Sequence, residues 1–134
     1  EYFGEKRHWF RWMASYGQGW GSQIVATLGT QASAVLNDQG ELETMPAWNL
    51  GTGVAINISK KLTSNLNLNY FGITPSEFRD DANMKSGASG HINLIWSPYK
   101  KVQAGIEFMR LERINGDSNS GIGNRFQTMI KYNF

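Results

Sequence analysis

Apolar and polar residues alternate one for one in short segments along this chain. A period of two belongs to a strand, because successive side chains of an extended backbone point to opposite faces. Between Trp48 and Ile58, Leu50, Val54, Ile56 and Ile58 alternate with Gly51, Gly53, Ala55 and Asn57. The beat returns at Leu66, Leu68 and Tyr70 against Asn65, Asn67 and Asn69, and at Ile92, Leu94 and Trp96 against His91 and Asn93. Val102, Ala104, Ile106 and Phe108 oppose Gln103, Gly105 and Glu107. Phe126, Thr128, Ile130, Tyr132 and Phe134 oppose Arg125, Gln127, Lys131 and Asn133. An earlier strand is expected from about Arg7 to Gly17, with Phe10, Trp12, Ala14 and Tyr16 on one face and Arg11 on the other. Helical spacing fits none of these, and the total is about six strands.

An all-β, antiparallel chain of this kind can cross a membrane without any long apolar run. The longest runs, such as Ile92 to Trp96 with Asn93 inside it, fall far short of the roughly 20 residues a spanning helix needs. A spanning strand needs only about 9–11 residues, of which alternate ones meet lipid, so a mean hydropathy of −0.42 is compatible with it. With 13 basic and 11 acidic residues there is no one-sign field or basic tail to hold nucleic acid. No cysteine is present, so no disulfide framework or thiolate metal site can form, and the compartment is left open. Nothing in the composition of the 134 residues divides them, so residues 1–134 read as a single unit. The chain starts at Glu1 without a secretory leader, as a mature protein or a fragment would.

The connections alternate in length. A long polar segment, residues 18–47, is followed by a tight Lys60-Lys61-Leu62-Thr63 turn, a medium loop around Pro75 to Lys85, a tight Pro98-Tyr99-Lys100 turn, and Asn115 to Gly121. Outer-membrane barrels have short periplasmic turns and longer external loops. On that pattern residues 18–47 form a long extracellular or pore-folded loop, the last strand descends, and Phe134 lies on the periplasmic side. Aromatic rings prefer the two membrane interfaces. Tyr16, Trp48, Tyr70, Phe108 and Phe126 fall at the outer strand ends, and Phe10, Trp96, Tyr132 and Phe134 at the inner ones. Arg110 shares the apolar parity but sits near the external end of its strand, where a cation costs about 0–1 kcal/mol rather than the roughly 2–4 of the midplane. A soluble antiparallel sheet would alternate too, burying Leu66, Ile92 and Ile106 in its own core. The Asn-, Gln- and Gly-rich polar face, the aromatics at strand ends and the alternating loop lengths favour the transmembrane barrel.

The ending Phe126-Gln127-Thr128-Met129-Ile130-Lys131-Tyr132-Asn133-Phe134 resembles the C-terminal assembly signal of outer-membrane proteins. The resemblance implies recognition by the barrel-assembly machinery, through Phe126, Ile130, Tyr132 and Phe134. The stretch from His91 to Phe134, with Asn93-Leu94-Ile95-Trp96-Ser97-Pro98, Gly105-Ile106-Glu107-Phe108, Gly123-Asn124-Arg125-Phe126-Gln127 and Lys131-Tyr132-Asn133-Phe134, resembles the end of DcaP-type porins. Tyr16-Gly17-Gln18-Gly19 and Leu42-Glu43-Thr44-Met45-Pro46-Ala47 fit that pattern more loosely. The resemblance implies the C-terminal part of a barrel of about sixteen strands in the bacterial outer membrane, assembled as a homotrimer. It also implies passive diffusion of small anionic, dicarboxylate-like solutes, with no cofactor. About six strands cannot enclose a porin lumen by themselves.

If Phe134 faces lipid, then Arg125, Gln127, Met129, Lys131 and Asn133 face the lumen, and the same logic places Arg11, His91, Glu107, Asn65, Asn67 and Asn69 there. The expected pore lining is therefore Arg11, His91, Glu107, Arg125, Gln127 and Lys131. Arg11, Arg125 and Lys131 would supply the field that draws in anions, since a low-dielectric channel focuses its lining charges. The competing reading is that these cations are merely solvated, or paired with Glu107, while a folded-in loop sets the constriction.

Motifs for chemistry are thin. Gly87-Ala88-Ser89-Gly90 is no nucleophile elbow and reads as close-packed strand positions. Gly17-Gln18-Gly19-Trp20-Gly21 lacks the lysine of a phosphate loop and reads as a bend. His8 and His91 stand on separate strands without a ligand cluster, so no metal site is expected. Asp117-Ser118-Asn119-Ser120-Gly121 has calcium-loop character without the closing Glu. Arg79-Asp80-Asp81 reads as a hydrated external loop. Two other function classes stay in view: a small outer-membrane barrel enzyme or adhesin, for which Ser89, His91 and Glu107 share one parity, and a soluble β-rich binding module.

Overall fold

The computed structural model describes residues 8–23 and 33–134. The expected strand start at Arg7 and the middle of the long 18–47 connection lie outside the described residues. Among the described residues there are eight strands: β1 (Trp9–Gln18), β2 (Ala34–Leu36), β3 (Leu42–Thr44), β4 (Pro46–Ser59), β5 (Leu62–Ile73), β6 (Met84–Tyr99), β7 (Val102–Asn115) and β8 (Ser120–Tyr132). Six of them form one antiparallel sheet in the order β1-β4-β5-β6-β7-β8, and β2 and β3 pair separately as a small hairpin. β1 and β8 are the sheet's two edges, so these strands make an arc of wall and not a closed barrel.

The six main strands are those the alternation predicts, but they are longer. β6 runs 16 residues, beginning at Met84 rather than near His91, because Ser86, Gly87 and Ala88 pair with Gly72, Phe71 and Tyr70. Small residues carry no period, yet this sheet requires them. A Cβ on Gly87 would lie 2.6 Å from the Phe71 ring and 2.7 Å from the Glu112 carbonyl. The two tight connections are each two lysines, Lys60-Lys61 and Lys100-Lys101. Pro98 and Tyr99, expected in the second turn, instead close β6 at a register shift between Trp96 and Tyr99, where a residue without an N–H is tolerated.

Which face is covered reverses the order of a water-soluble sheet. Leu50, Leu68, Ile92, Ile106 and Phe126 stand in rows on one face, each 47–66 % exposed, with Trp12 and Tyr16 at 70 % and 71 %. Asn65, Asn67, Asn69, His91, Asn93 and Glu107, on the other face, are the more covered set. Burying one Leu or Ile side chain is worth about 1.5–3 kcal/mol, and a contiguous apolar patch beyond a few hundred Å² is rare on a soluble monomer. A sheet with its apolar rows outward requires something apolar against them.

The apolar residues buried together sit at the long-loop end. Val35 and Met45 come from the segment between β1 and β4; Ala47, Phe71, Ile73 and Met84 come from the main strands, with Trp20 and Phe78 packed around them. Ala47, Phe71 and Ile73 share the parity of Asn49 and Asn69, so the polar face turns apolar at this rim, where the β2–β3 hairpin lies over it. The hairpin is a feature that alternation over three residues was too short to reveal. Asn37 Oδ1 accepts the backbone N–H groups of Gln39 and Glu41 at 3.0 and 2.9 Å, Gly40 supplies φ +78°, and the Met45 N–H donates to the Ser33 carbonyl at 2.9 Å.

Candidate functional site

Because strand pairing brings equal parities together, the residues of the polar face line up across neighbouring strands, and two rows cross the sheet. One runs Trp9, Ala55, Asn65, Asn93, Glu107, Gln127; the other runs Arg11, Gly53, Asn67, His91, Met109, Arg125. In the first row the side chains from Asn65 onward are joined. Asn65 Nδ2 donates to Asn93 Oδ1 at 2.8 Å, Asn93 Nδ2 to Glu107 Oε2 at 3.5 Å, and Gln127 Nε2 to Glu107 Oε1 at 2.9 Å. The Arg125 guanidinium donates to Gln127 Oε1, ending the ladder in a cation. His91 Nδ1 stands 3.8 Å from Glu107 Oε1, close enough for an ion pair when the imidazole is protonated but beyond a hydrogen bond.

Arg125 and Glu107 are thus separated by the Gln127 amide, and the guanidinium remains exposed. Of the six residues expected on this face, the structure brings Arg125, Gln127, Glu107 and His91 into one cluster. Lys131 shares the face but is six residues further along β8, about 20 Å at strand rise, near the short-turn rim. Arg11 lies in the row of Arg125 but five strand steps away, about 24 Å around the arc, with its guanidinium 4.7 Å from the centroid of the Trp9 ring.

Around Arg11 is a surface that sequence reading did not single out. Gly51 and Gly53 put no side chain on the polar face, and the amides of Asn69 and Asn67 lie across them, 2.6 and 2.7 Å from where a Cβ would stand. The result is a shallow depression of about 300 Å³ bounded by Trp9, Arg11 and Met13 on one side and the two asparagines on the other. Its signal in the sequence was two glycines, two residues apart, on a polar parity opposite asparagines. Asn93, whose amide joins two strands of the ladder, was likewise read only as part of the alternation.

At the long-loop end Asp80 and Asp81 are exposed as expected of a hydrated loop, but Arg79 beside them is not. Arg79 is 5 % exposed and donates from Nη2 to the Met84 carbonyl at 2.8 Å. Burial and the nearby Arg113 lower its pKa, against the raising influence of Asp80. Asp117 closes the β7–β8 turn, its two carboxylate oxygens accepting from the Asn119 N–H and Nδ2 at 2.9 and 2.8 Å. Phe134 and Tyr132 meet edge to face at 5.3 Å, and Phe126, Ile130, Tyr132 and Phe134 are all exposed on β8 or just beyond it.

No family model matches the chain, and no curated protein matches it either. Among solved structures, the outer membrane channel DcaP of Acinetobacter baumannii superposes with a TM-score of 0.69 at 22 % identity, over 76 % of this chain. The chain spans 31 % of that channel's length. The fold is therefore that of an arc of a DcaP-like porin barrel.

Proposed function

We propose that this chain is part of the wall of an outer-membrane porin, a passive channel for small anionic, dicarboxylate-like solutes. The observation that carries the reading is the reversed sheet: apolar rows outward, and a hydrogen-bonded polar ladder ending in an exposed arginine on the covered face. Lipid acyl chains supply the apolar phase that the outward rows require, and water fills the polar side. The lining comprises Arg11, His91, Glu107, Arg125, Gln127 and Lys131. Glu107 is held by Gln127 and Asn93 rather than by Arg125, so the arginine's charge is left for a passing anion.

The rest of the reading follows the same geometry. Residues 18–47 form an extracellular loop whose β2–β3 hairpin folds over the pore side of the rim, as its packing on Ala47, Phe71 and Ile73 suggests. Exposed Phe126, Ile130, Tyr132 and Phe134 present the assembly signal to the barrel-assembly machinery, and three copies associate as a homotrimer in the bacterial outer membrane. We favour a conduit over a catalyst because both Glu107 oxygens are engaged by amides.

The test is to incorporate the full-length protein into planar bilayers under a salt gradient. Steps of conductance with a reversal potential of anionic sign, weakened by Arg125→Gln, are expected. Cation preference would overturn the anionic assignment. A monodisperse, folded protein in plain buffer that never inserts would overturn the channel.

A further inference from the structure

The acidic residues of the sheet are sorted by end, while basic ones such as Arg79, Lys85 and Arg113 also occur at the long-loop end. Every acidic residue among the described ones except Glu107 is at the long-loop end: Asp38, Glu41, Glu43, Glu77, Asp80, Asp81, Glu112 and Asp117. The short-turn end carries Lys60, Lys61, Lys100 and Lys101, all exposed, and residues 57–63, 96–104 and 129–134 contain no Asp or Glu. Both lysine turns are held in the same way. The Lys61 carbonyl accepts the N–H of Ser97 at 2.7 Å and the Lys101 carbonyl accepts the N–H of Asn133 at 2.9 Å, so each turn is tied to the end of the next strand along. With one strand spacing of about 4.8 Å, the two turns stand about 10 Å apart along the rim.

Directly beside the lysines are the exposed apolar residues that end the outward rows: Ile58 at 57 %, Trp96 at 53 %, Tyr99 at 73 % and Tyr132 at 55 %. Aromatic rings over a band of apolar side chains mark the headgroup level of a membrane, and lysine stems reach from that level into the charged layer. A porin lining needs no cations here, because both turns lie beyond the last paired residues of their strands.

We infer that the Lys60-Lys61 and Lys100-Lys101 turns form a collar that binds the phosphates of anionic phospholipids in the leaflet at the short-turn end. The inference rests on the membrane-spanning reading above. The ligand is a diacyl lipid with a net negative headgroup, held by its phosphate on the lysines and by its acyl chains against Ile58 and Trp96. Free phosphate lacks the second contact, and a cell-wall polymer would use the lysines without the aromatics.

The experiment inserts the full-length protein into phosphatidylcholine vesicles containing, in turn, brominated phosphatidylglycerol or brominated phosphatidylcholine, and compares quenching of tryptophan fluorescence. A preference for phosphatidylglycerol of roughly fivefold is expected, the factor one lysine near an anionic surface contributes, disappearing in 1 M salt. It should fall to about one in K60Q/K61Q/K100Q/K101Q, whose undiminished quenching by brominated phosphatidylcholine shows that it has inserted, and be kept in the corresponding quadruple arginine variant. Insertion with equal quenching by both lipids would overturn the collar and leave the membrane reading standing. A preference that survives the glutamine variant would overturn its assignment to these turns, as would lysine-dependent retention on purified peptidoglycan without lipid preference. No quenching by either lipid would overturn the membrane-spanning reading itself.

Discussion

Glu107→Gln tests the channel reading at its most exposed point. The substitution preserves shape, so Gln127 Nε2 can still donate to a side-chain oxygen at position 107; what is lost is one negative charge and the long 3.5 Å bond from Asn93. The Arg125 guanidinium is separated from the Glu107 carboxylate by the width of the Gln127 amide and two hydrogen bonds, and an anion resting on Arg125 adds a third contact, about 10 Å in all. At that distance in water, repulsion is about 0.4 kcal/mol, reduced to about 0.3 by screening at 10 mM salt and to under 0.1 at 1 M. Removing it favours anions about 1.7-fold and disfavours cations equally, so the anion-to-cation permeability ratio should rise about threefold in dilute salt and hardly at all at 1 M. The assay is the reversal potential of the full-length protein in planar bilayers at both salt concentrations. An unchanged ratio in dilute salt, or an equal change at 1 M, would refute the placement of Glu107 beside the anion's path.

Three further outcomes are expected. Met45→Ala, at a residue 1 % exposed beneath the β2–β3 hairpin, should cost about 2–5 kcal/mol and release the hairpin, read as faster cleavage of residues 18–47 by added protease with the main sheet intact. Gly72→Ala places a Cβ 2.8 Å from the Trp48 ring and should cost about 1–3 kcal/mol, seen as a lower denaturant midpoint and a changed tryptophan emission. Phe134→Ala removes a ring that is wholly exposed apart from Tyr132, so the stability of the refolded protein should change by at most about 1.5 kcal/mol while assembly in cells falls sharply; the heat-dependent gel shift measures both.

The six main strands were legible because each carries enough alternating positions to declare its parity, and parity then placed all six expected lining residues on one face. What alternation could not convey was anything held by single contacts. β2 and β3 have three residues each, too few for a period, and are fixed by Asn37, Gly40 and a buried Met45. Arg79 looked like a solvated charge beside two aspartates, but the loop folds its guanidinium onto the Met84 carbonyl, a contact between residues whose local pattern says only that they are polar or apolar. The separation of Lys131 from Arg125 was implicit in strand rise, whereas the depression at Arg11 depended on two glycines whose function is to be absent side chains.

The amide ladder across β5, β6, β7 and β8 bears on how such a wall is put together. Backbone pairing alone is satisfied by many alignments of two neighbouring strands, and a slip of two residues would leave the apolar and polar faces undisturbed. Asn65 would then miss Asn93, and at β7–β8 a slip in one direction would set Arg125 directly against Glu107 in place of Gln127, cancelling the exposed cation that the present alignment keeps apart from the carboxylate. Register in this sheet therefore decides which charges of the polar face meet, as parity decides which face is polar.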